Sequence, residues 1–329
     1  AAIVPFNFPL LLMAWKVAPA LMAGNTLVCK PPHQNPLCNL LMAECYDGLP
    51  PGVVNVITGG AETGRCLVEH EGVDFIAFTG SVAVGRAIAA TAGAHLKKVN
   101  LELGSVDPLI VFADADLDAA VAGAAWARLL NAGQVCTSAK RIYVEESIAA
   151  EFIDRLLDHV RGLVVGDPMD PATDVGPLIS AEALATVERQ MKEAVAQGAT
   201  LALGGRRLRP GGLPGHFLEP AVLTGVPHGS LPTTEEIFGP VLSVTVARDA
   251  DEAIALANDS KYGLGASIFT GSLATAMRAM ENIKAGTFWV NDPLTDNDAG
   301  PFGGMRWSGI GRELGEEGLD AFREPKHVH

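Results

Sequence analysis

The chain has 329 residues, 48% of them apolar and 19% charged, which is enough apolar material for two domains or one large one with a sizeable core. A formal net charge of −14, with no run of Lys or Arg to offset it locally, argues against nucleic acid or an anionic membrane as a partner. The five cysteines contain no Cys-x-x-Cys pair and have no His at metal-ligand spacing, so no metal is expected, and a reducing, cytoplasmic compartment is.

The first residues, Ala1-Ala2-Ile3-Val4-Pro5, lack a Met, a basic segment and a cleavage site, and read as the start of a trimmed or partial chain. Five β-rich runs follow in order, at residues 2–5, 26–29, 53–57, 75–78 and 99–102. Helical segments at 10–22, 35–46, 62–69 and 84–92 separate them. The first of these, within the apolar stretch 9–24, contains Lys16 and Pro19 and is too short to span a bilayer. Apolar strands alternating with helices predict an α/β fold with a doubly wound parallel sheet, buried on both faces. Further helices are expected at 114–130, 148–163 and 181–197, with a Gly/Pro-dense surface excursion at 204–220. Strands at 241–246, 266–269 and 287–291 belong to a second α/β layer.

Two strand ends in the first sheet are rich in glycine. Gly59-Gly60-Ala61-Glu62-Thr63-Gly64 and Phe78-Thr79-Gly80-Ser81 each lead from a strand into a helix, where free N–H groups and a favourable dipole suit a phosphate. The first departs from the G-x-G-x-x-G spacing and fits a plain turn equally well, but two such ends together point to a dinucleotide. Cys136, in Gly133-Gln134-Val135-Cys136, is either an inert buried hydrophobe or a nucleophile. Glu102 ends a buried strand, where a charge is costly unless paired, for instance with Lys97 or Lys98, or functional as a base. Asn7 lies between Pro5 and Pro9, either forming a turn or aiming an amide at a substrate.

Taken in order, Pro5–Pro9, Lys30-Pro31, Phe78–Ser81, Glu102–Gly104, Gly133–Cys136, Glu236-Ile237-Phe238-Gly239-Pro240, Pro301–Gly304 and Gly311-Arg312-Glu313-Leu314-Gly315 resemble the aldehyde dehydrogenase superfamily from the first residue to the last. Glu102 and Cys136 are 34 positions apart, a spacing like that of the family's base and nucleophile. The resemblance implies oxidation of an aldehyde to its carboxylic acid with NAD, or NADP, through a thiohemiacetal and a thioester on Cys136. Asn7 and the Cys136 N–H would hold the oxyanion, Glu102 would activate water, and Glu313 would join a proton relay. Lys30 would bind the adenine ribose, Gly60, Gly64, Gly80 and Ser81 would meet the phosphates, and Glu236, with Phe238, would meet the nicotinamide ribose. Phe302 would line the aldehyde tunnel.

The same resemblance implies a coenzyme-binding domain over 1–104, a catalytic domain over 105–303 and a return to the first over 304–329. Relatives are homo-oligomers that pair through segments lying beyond this chain's ends, so this chain is expected to pair poorly. Three positions depart from the family pattern in ways that matter. Phe6 replaces a Trp. His33 stands where a Glu usually meets the ribose hydroxyls, which relaxes the preference for NAD. Ser105 replaces a Gly beside the base, and is strained if that position needs a positive φ. Two other readings remain open: a CoA-acylating aldehyde dehydrogenase, and a coenzyme-binding remnant without catalysis.

Overall fold

The computed structural model describes residues 1–329. Strand and helix alternate from the start: β1 (Ala2–Ile3), α1 (Pro9–Met22), β2 (Leu27–Lys30), α2 (Leu37–Glu44), β3 (Val54–Val56), α3 (Ala61–Glu69), β4 (Phe75–Thr79), α4 (Val82–Ala94) and β5 (Lys98–Glu102). A second series follows with β6 (Asp107–Val111), α5 (Leu117–Leu129), β7 (Ala139–Glu145), α6 (Glu146–Arg161), α7 (Ala181–Ala196) and β8 (Thr200–Leu203). It continues through β9 (Arg207–Leu208), β10 (Phe217–Leu218), β11 (Ala221–Thr224), α8 (Leu231–Thr234), β12 (Val241–Ala247), α9 (Ala250–Asn258), β13 (Gly265–Phe269), α10 (Leu273–Asn282) and β14 (Thr287–Val290). The chain closes with β15 (Gly309–Ile310) and α11 (Gly315–Asp320).

Local chemistry starts these helices where they start. Pro9 occupies the first turn of α1, where its missing N–H has no helical partner to lose. Ser81, Asp116, Ser180, Asp249 and Ser272 cap α4, α5, α7, α9 and α10, each side chain accepting from a backbone N–H in the first turn.

The elements form two compact units, Ala1–Gly104 with Asp296–His329, and Ser105–Thr295. In the first, six strands run in the order β15-β5-β4-β1-β2-β3, all parallel except β15, which pairs antiparallel with β5. Ile76, Phe78, Leu101 and Leu103 of this unit pack with Leu67 and Val68 of α3 and Ile88 and Ala92 of α4. Helix α1 lies against β1, β2, α2 and α11.

The second unit has a seven-stranded sheet in the order β14-β13-β6-β7-β12-β11-β8, with only β8 antiparallel to its neighbour. Successive residues of its central strands face opposite cores, as strand geometry requires. Leu109, Val111, Ile142 and Val144 pack under α5, α6 and α7, whereas Ile110, Phe112 and Tyr143 pack under α9 and α10. Helices cover both faces, which is the doubly wound arrangement.

The sequence reading passed over β6 and β7, two central strands. Their apolar runs are interrupted by Asp107-Pro108 and by Lys140-Arg141, all buried, and only tertiary partners make those charges tolerable. The stretch 204–220 lies mostly at the surface, and within it β9 and β10 pair as an antiparallel ribbon.

Candidate active site

In the second unit, Cys136 follows a turn with unusual backbone. Helix α5 ends at Leu129, and Asn131 (φ 51°), Ala132 (φ 56°) and Gly133 (φ 75°) then adopt three successive left-handed conformations. Two of these residues carry a Cβ, so the turn persists only where its surroundings over-determine it. A Cβ on Gly133 would lie 2.2 Å from the carbonyl oxygen of Gly239, so the turn and the 236–240 segment touch backbone to backbone. Gln134 fastens the turn, donating from Nε2 to the Asn131 carbonyl at 3.0 Å and accepting from the Ile179 N–H at 2.9 Å.

Two buried cations stand behind it. The Arg128 guanidinium donates to the carbonyls of Gly133 (3.1 Å), Ile237 (2.6 Å) and Val241 (2.7 Å) and to Ser138 Oγ (2.8 Å). Lys140 Nζ donates to the carbonyls of Val135 (2.9 Å) and Cys136 (2.5 Å) and pairs with Glu236 Oε1 at 3.1 Å. Gln190 Nε2 holds the Glu236 carbonyl at 3.0 Å. Cys136 is half-buried, as are Glu236 and Phe238.

Ser105 is not among the residues with positive φ, so the strain foreseen for it is absent. Its hydroxyl donates to the buried Asp107 carboxylate in a very short hydrogen bond, and its N–H approaches Glu236 Oε1 at 3.4 Å.

In the first unit, Glu102 is 3% exposed and neither carboxylate oxygen has a hydrogen-bond partner. Lys97 and Lys98 do not reach it: Lys97 donates to the carbonyls of Val68 and His70, and Lys98 pairs with Glu324. What faces it is a second buried carboxylate, Glu313, which is held by Lys16 Nζ at 2.6 Å. Lys16 also donates to Thr79 Oγ1 at 2.7 Å, and Thr79 sits beside Glu102 in the β4–β5 register. Burial pushes the Glu102 carboxyl well above the usual carboxylate range and the charge of Glu313 pushes it further, while Lys16 and Arg312 pull it back.

Lys16 was noted in the sequence only as a charge that spoils a membrane span. A lone cation amid the apolar residues of α1 was the available signal for a buried ion pair. Phe302 packs its ring on Trp15, centroids 5.0 Å apart, and exchanges two backbone hydrogen bonds of 2.7 Å with Glu313. Asn7 is half-buried in a loop pinned by Asn35, whose Nδ2 donates to the Phe6 carbonyl at 2.8 Å.

The glycine-rich strand ends lie at the C-terminal side of the parallel strands of this unit, where open sheets of this kind bind ligands. Gly60 caps α3 with nothing within 4 Å of an added Cβ, leaving its backbone open to a ligand. Gly64, on the next turn of α3, lies under the buried stem of Lys30, whose Cδ would be 3.7 Å from an added Cβ. Gly80 has no room for a side chain, because a Cβ there would lie 2.5 Å from the Phe78 ring. Ser81 caps α4, whose first turn carries no acidic residue to oppose an anion. His33 is exposed.

Residues 1–328 match the sequence model of the aldehyde dehydrogenase family. The chain belongs to that family. It is 45% identical to retinal dehydrogenase 2 of Homo sapiens, over 99% of this chain and 63% of that protein. It is 44% identical to betaine aldehyde dehydrogenase of Brucella melitensis biotype 2, over 98% of this chain and 67% of that one.

Among solved aldehyde dehydrogenases, betaine aldehyde dehydrogenase from Staphylococcus aureus in complex with NAD+ matches with a TM-score of 0.96 at 40% identity, over 98% of this chain and 65% of that one. Lactaldehyde dehydrogenase from Escherichia coli matches with a TM-score of 0.94 at 40% identity, over 98% and 68%. The chain thus spans 63% of the length of the retinal dehydrogenase relative and slightly more of the others. No helix is long and apolar enough to cross a membrane, and no group of three His, Cys, Asp or Glu residues is placed to hold a metal ion.

Proposed function

We propose that this chain oxidises an aldehyde to a carboxylic acid with NAD, and with NADP to a lesser degree, using Cys136 as nucleophile and Glu102 as base. The observation that carries this reading is Glu102 itself. A buried carboxylate with no hydrogen-bond donor, its pKa raised well above the usual carboxylate range, costs stability and suits the removal of a proton from water.

The glycine-rich strand ends fit a dinucleotide. Lys30 with Gly64, Gly60 and Gly80, and Ser81 at the start of α4 offer open backbone, N–H groups and a cation to its ribose and phosphates. Glu236 and Phe238 are assigned to the nicotinamide end. The bound coenzyme supplies a hydride acceptor.

The chain's own residues do the rest. The Cys136 thiolate attacks the carbonyl carbon, and the C=O pair moves onto oxygen to give a thiohemiacetal in its oxyanion form. The Asn7 amide and the Cys136 N–H stabilise that oxyanion by several kcal/mol, as is typical of such donors. Loss of hydride from this carbon leaves a thioester on Cys136. Glu102 takes a proton from water, the hydroxide attacks the thioester, and the thiolate leaves with the acid released. The proton passes from Glu102 toward the Glu313–Lys16 pair.

A panel of aldehydes offered with NAD or NADP, read by the absorbance of the reduced nicotinamide, tests the reading. Reduction with at least one aldehyde, lost in Cys136→Ser, is expected. No reduction with any aldehyde, or an unaffected Cys136→Ser variant, would contradict it.

A further inference from the structure

Lys140 lies on β7, four residues after the proposed nucleophile, and is 2% exposed. Its three ammonium donors have three acceptors: the carbonyls of Val135 and Cys136 and the Glu236 carboxylate. Burying an ammonium costs several kcal/mol and is recovered only in such a saturated geometry, whereas a neutral side chain here would avoid that cost altogether. Arg128, the other buried cation behind the turn, already ties it to the 237–241 segment through carbonyls and Ser138, so holding the backbone together does not by itself require a second charge. What Lys140 adds is a fixed positive charge bonded to the nucleophile's own residue, balanced from one side by Glu236. The side chain of that glutamate is 23% exposed and so remains open to another partner.

We propose that Lys140 is a positioning residue for Cys136: it holds the Cys136 carbonyl and Glu236 on one ammonium, and the balance of those two charges sets how readily the thiol ionises. This rests on Cys136 being the nucleophile. The ammonium favours the thiolate and Glu236 opposes it, so removing either charge moves thiol ionisation in opposite directions. The charged and titratable groups that act on this cluster are Asp107 of β6, beside Lys140, and Arg128 of α5 and Tyr262 before β13, beside Glu236; Arg141 and Glu235 act in turn on Asp107 and Tyr262. Burial pushes Asp107 up to about 6, inside the window of interest.

The test is the pH profile of Cys136 alkylation by iodoacetamide on the full chain, located by peptide mass mapping and run in an Asp107→Asn background as well as the native one. Lys140→Met should move the midpoint to higher pH and slow alkylation at pH 7 by about tenfold, the effect of a change of one pH unit in thiol ionisation. Lys140→Arg should restore most of the rate. Glu236→Gln should move the midpoint the other way and speed alkylation. A lower melting temperature with an unmoved midpoint in Lys140→Met would overturn the proposal. If that variant does not fold, an unmoved midpoint in Glu236→Gln would do so. If unmodified Cys136 reacts no faster than exposed Cys38, Cys45 and Cys66, the nucleophile assignment falls and the proposal falls with it.

Discussion

In the proposed mechanism Glu102 trades stability for reactivity. Its carboxyl titrates well above the usual range because it is buried and faces Glu313. Its contribution to stability is therefore fully present below the ordinary carboxylate pKa and is lost as pH rises through the raised value. Activity runs the opposite way over that window, because only the ionised form accepts a proton from water. The pH–rate profile should rise through the raised pKa. Lys16 pulls that value down, so Lys16→Met should move the acidic limb of kcat/KM to higher pH, and an unmoved limb would separate Lys16 from the base.

The same variant leaves Glu313 buried without its cation and should lose about 3–5 kcal/mol in denaturant unfolding, part of which Lys16→Met/Glu313→Leu recovers. Cys136, Glu102 and Glu313 enter the proposed mechanism because family motifs carry them in the sequence. Lys16, Arg128 and Lys140 were not legible there, although each is a charge inside an apolar run. The Arg128 donors are committed to three carbonyls and a hydroxyl.

At the scale of elements, the turn from α5 into Cys136 is where local preference and tertiary structure disagree most. Ala132 is left-handed, a conformation its Cβ disfavours by about 1–2 kcal/mol. Ala132→Gly should therefore stabilise the chain by about 1 kcal/mol, less whatever the buried methyl contributes, and a large loss would show that packing of that methyl dominates. Gly133→Ala should do the reverse, since its Cβ would meet the Gly239 carbonyl at 2.2 Å. Loss of Cys136 reactivity in a folded variant is the expected outcome, read by the rate of thiol labelling.

The sequence readily showed the alternating strands and helices of the first unit, whose short apolar runs recur at regular intervals between turn residues. It hid β6 and β7, where Asp107, Lys140 and Arg141 interrupt the pattern, and it could not show a left-handed run that distant carbonyls and cations hold in place.

For the molecule as a whole, coenzyme binding to the folded chain and not to the unfolded one should raise stability by mass action. At a hundredfold excess over Kd this amounts to about 2.7 kcal/mol, or a few degrees in Tm for a chain of this size. NAD should give the larger shift and NADP a smaller one. His33→Glu should abolish most of the NADP shift and leave that of NAD, because a carboxylate repels the 2′-phosphate where an imidazole does not. Equal losses for both coenzymes would place the adenine ribose away from His33.

Central to the proposed mechanism is that Cys136 carries the acyl group and Glu102 releases it. The most direct test mixes Glu102→Gln with an aldehyde substrate and NAD, quenches in acid and weighs the peptides. A stoichiometric acyl adduct on the Cys136 peptide, formed with a burst of reduced coenzyme and followed by turnover slowed about 10²–10⁴-fold, is the predicted result. An adduct on Cys29, Cys38, Cys45 or Cys66, or unslowed turnover with no adduct, would contradict it.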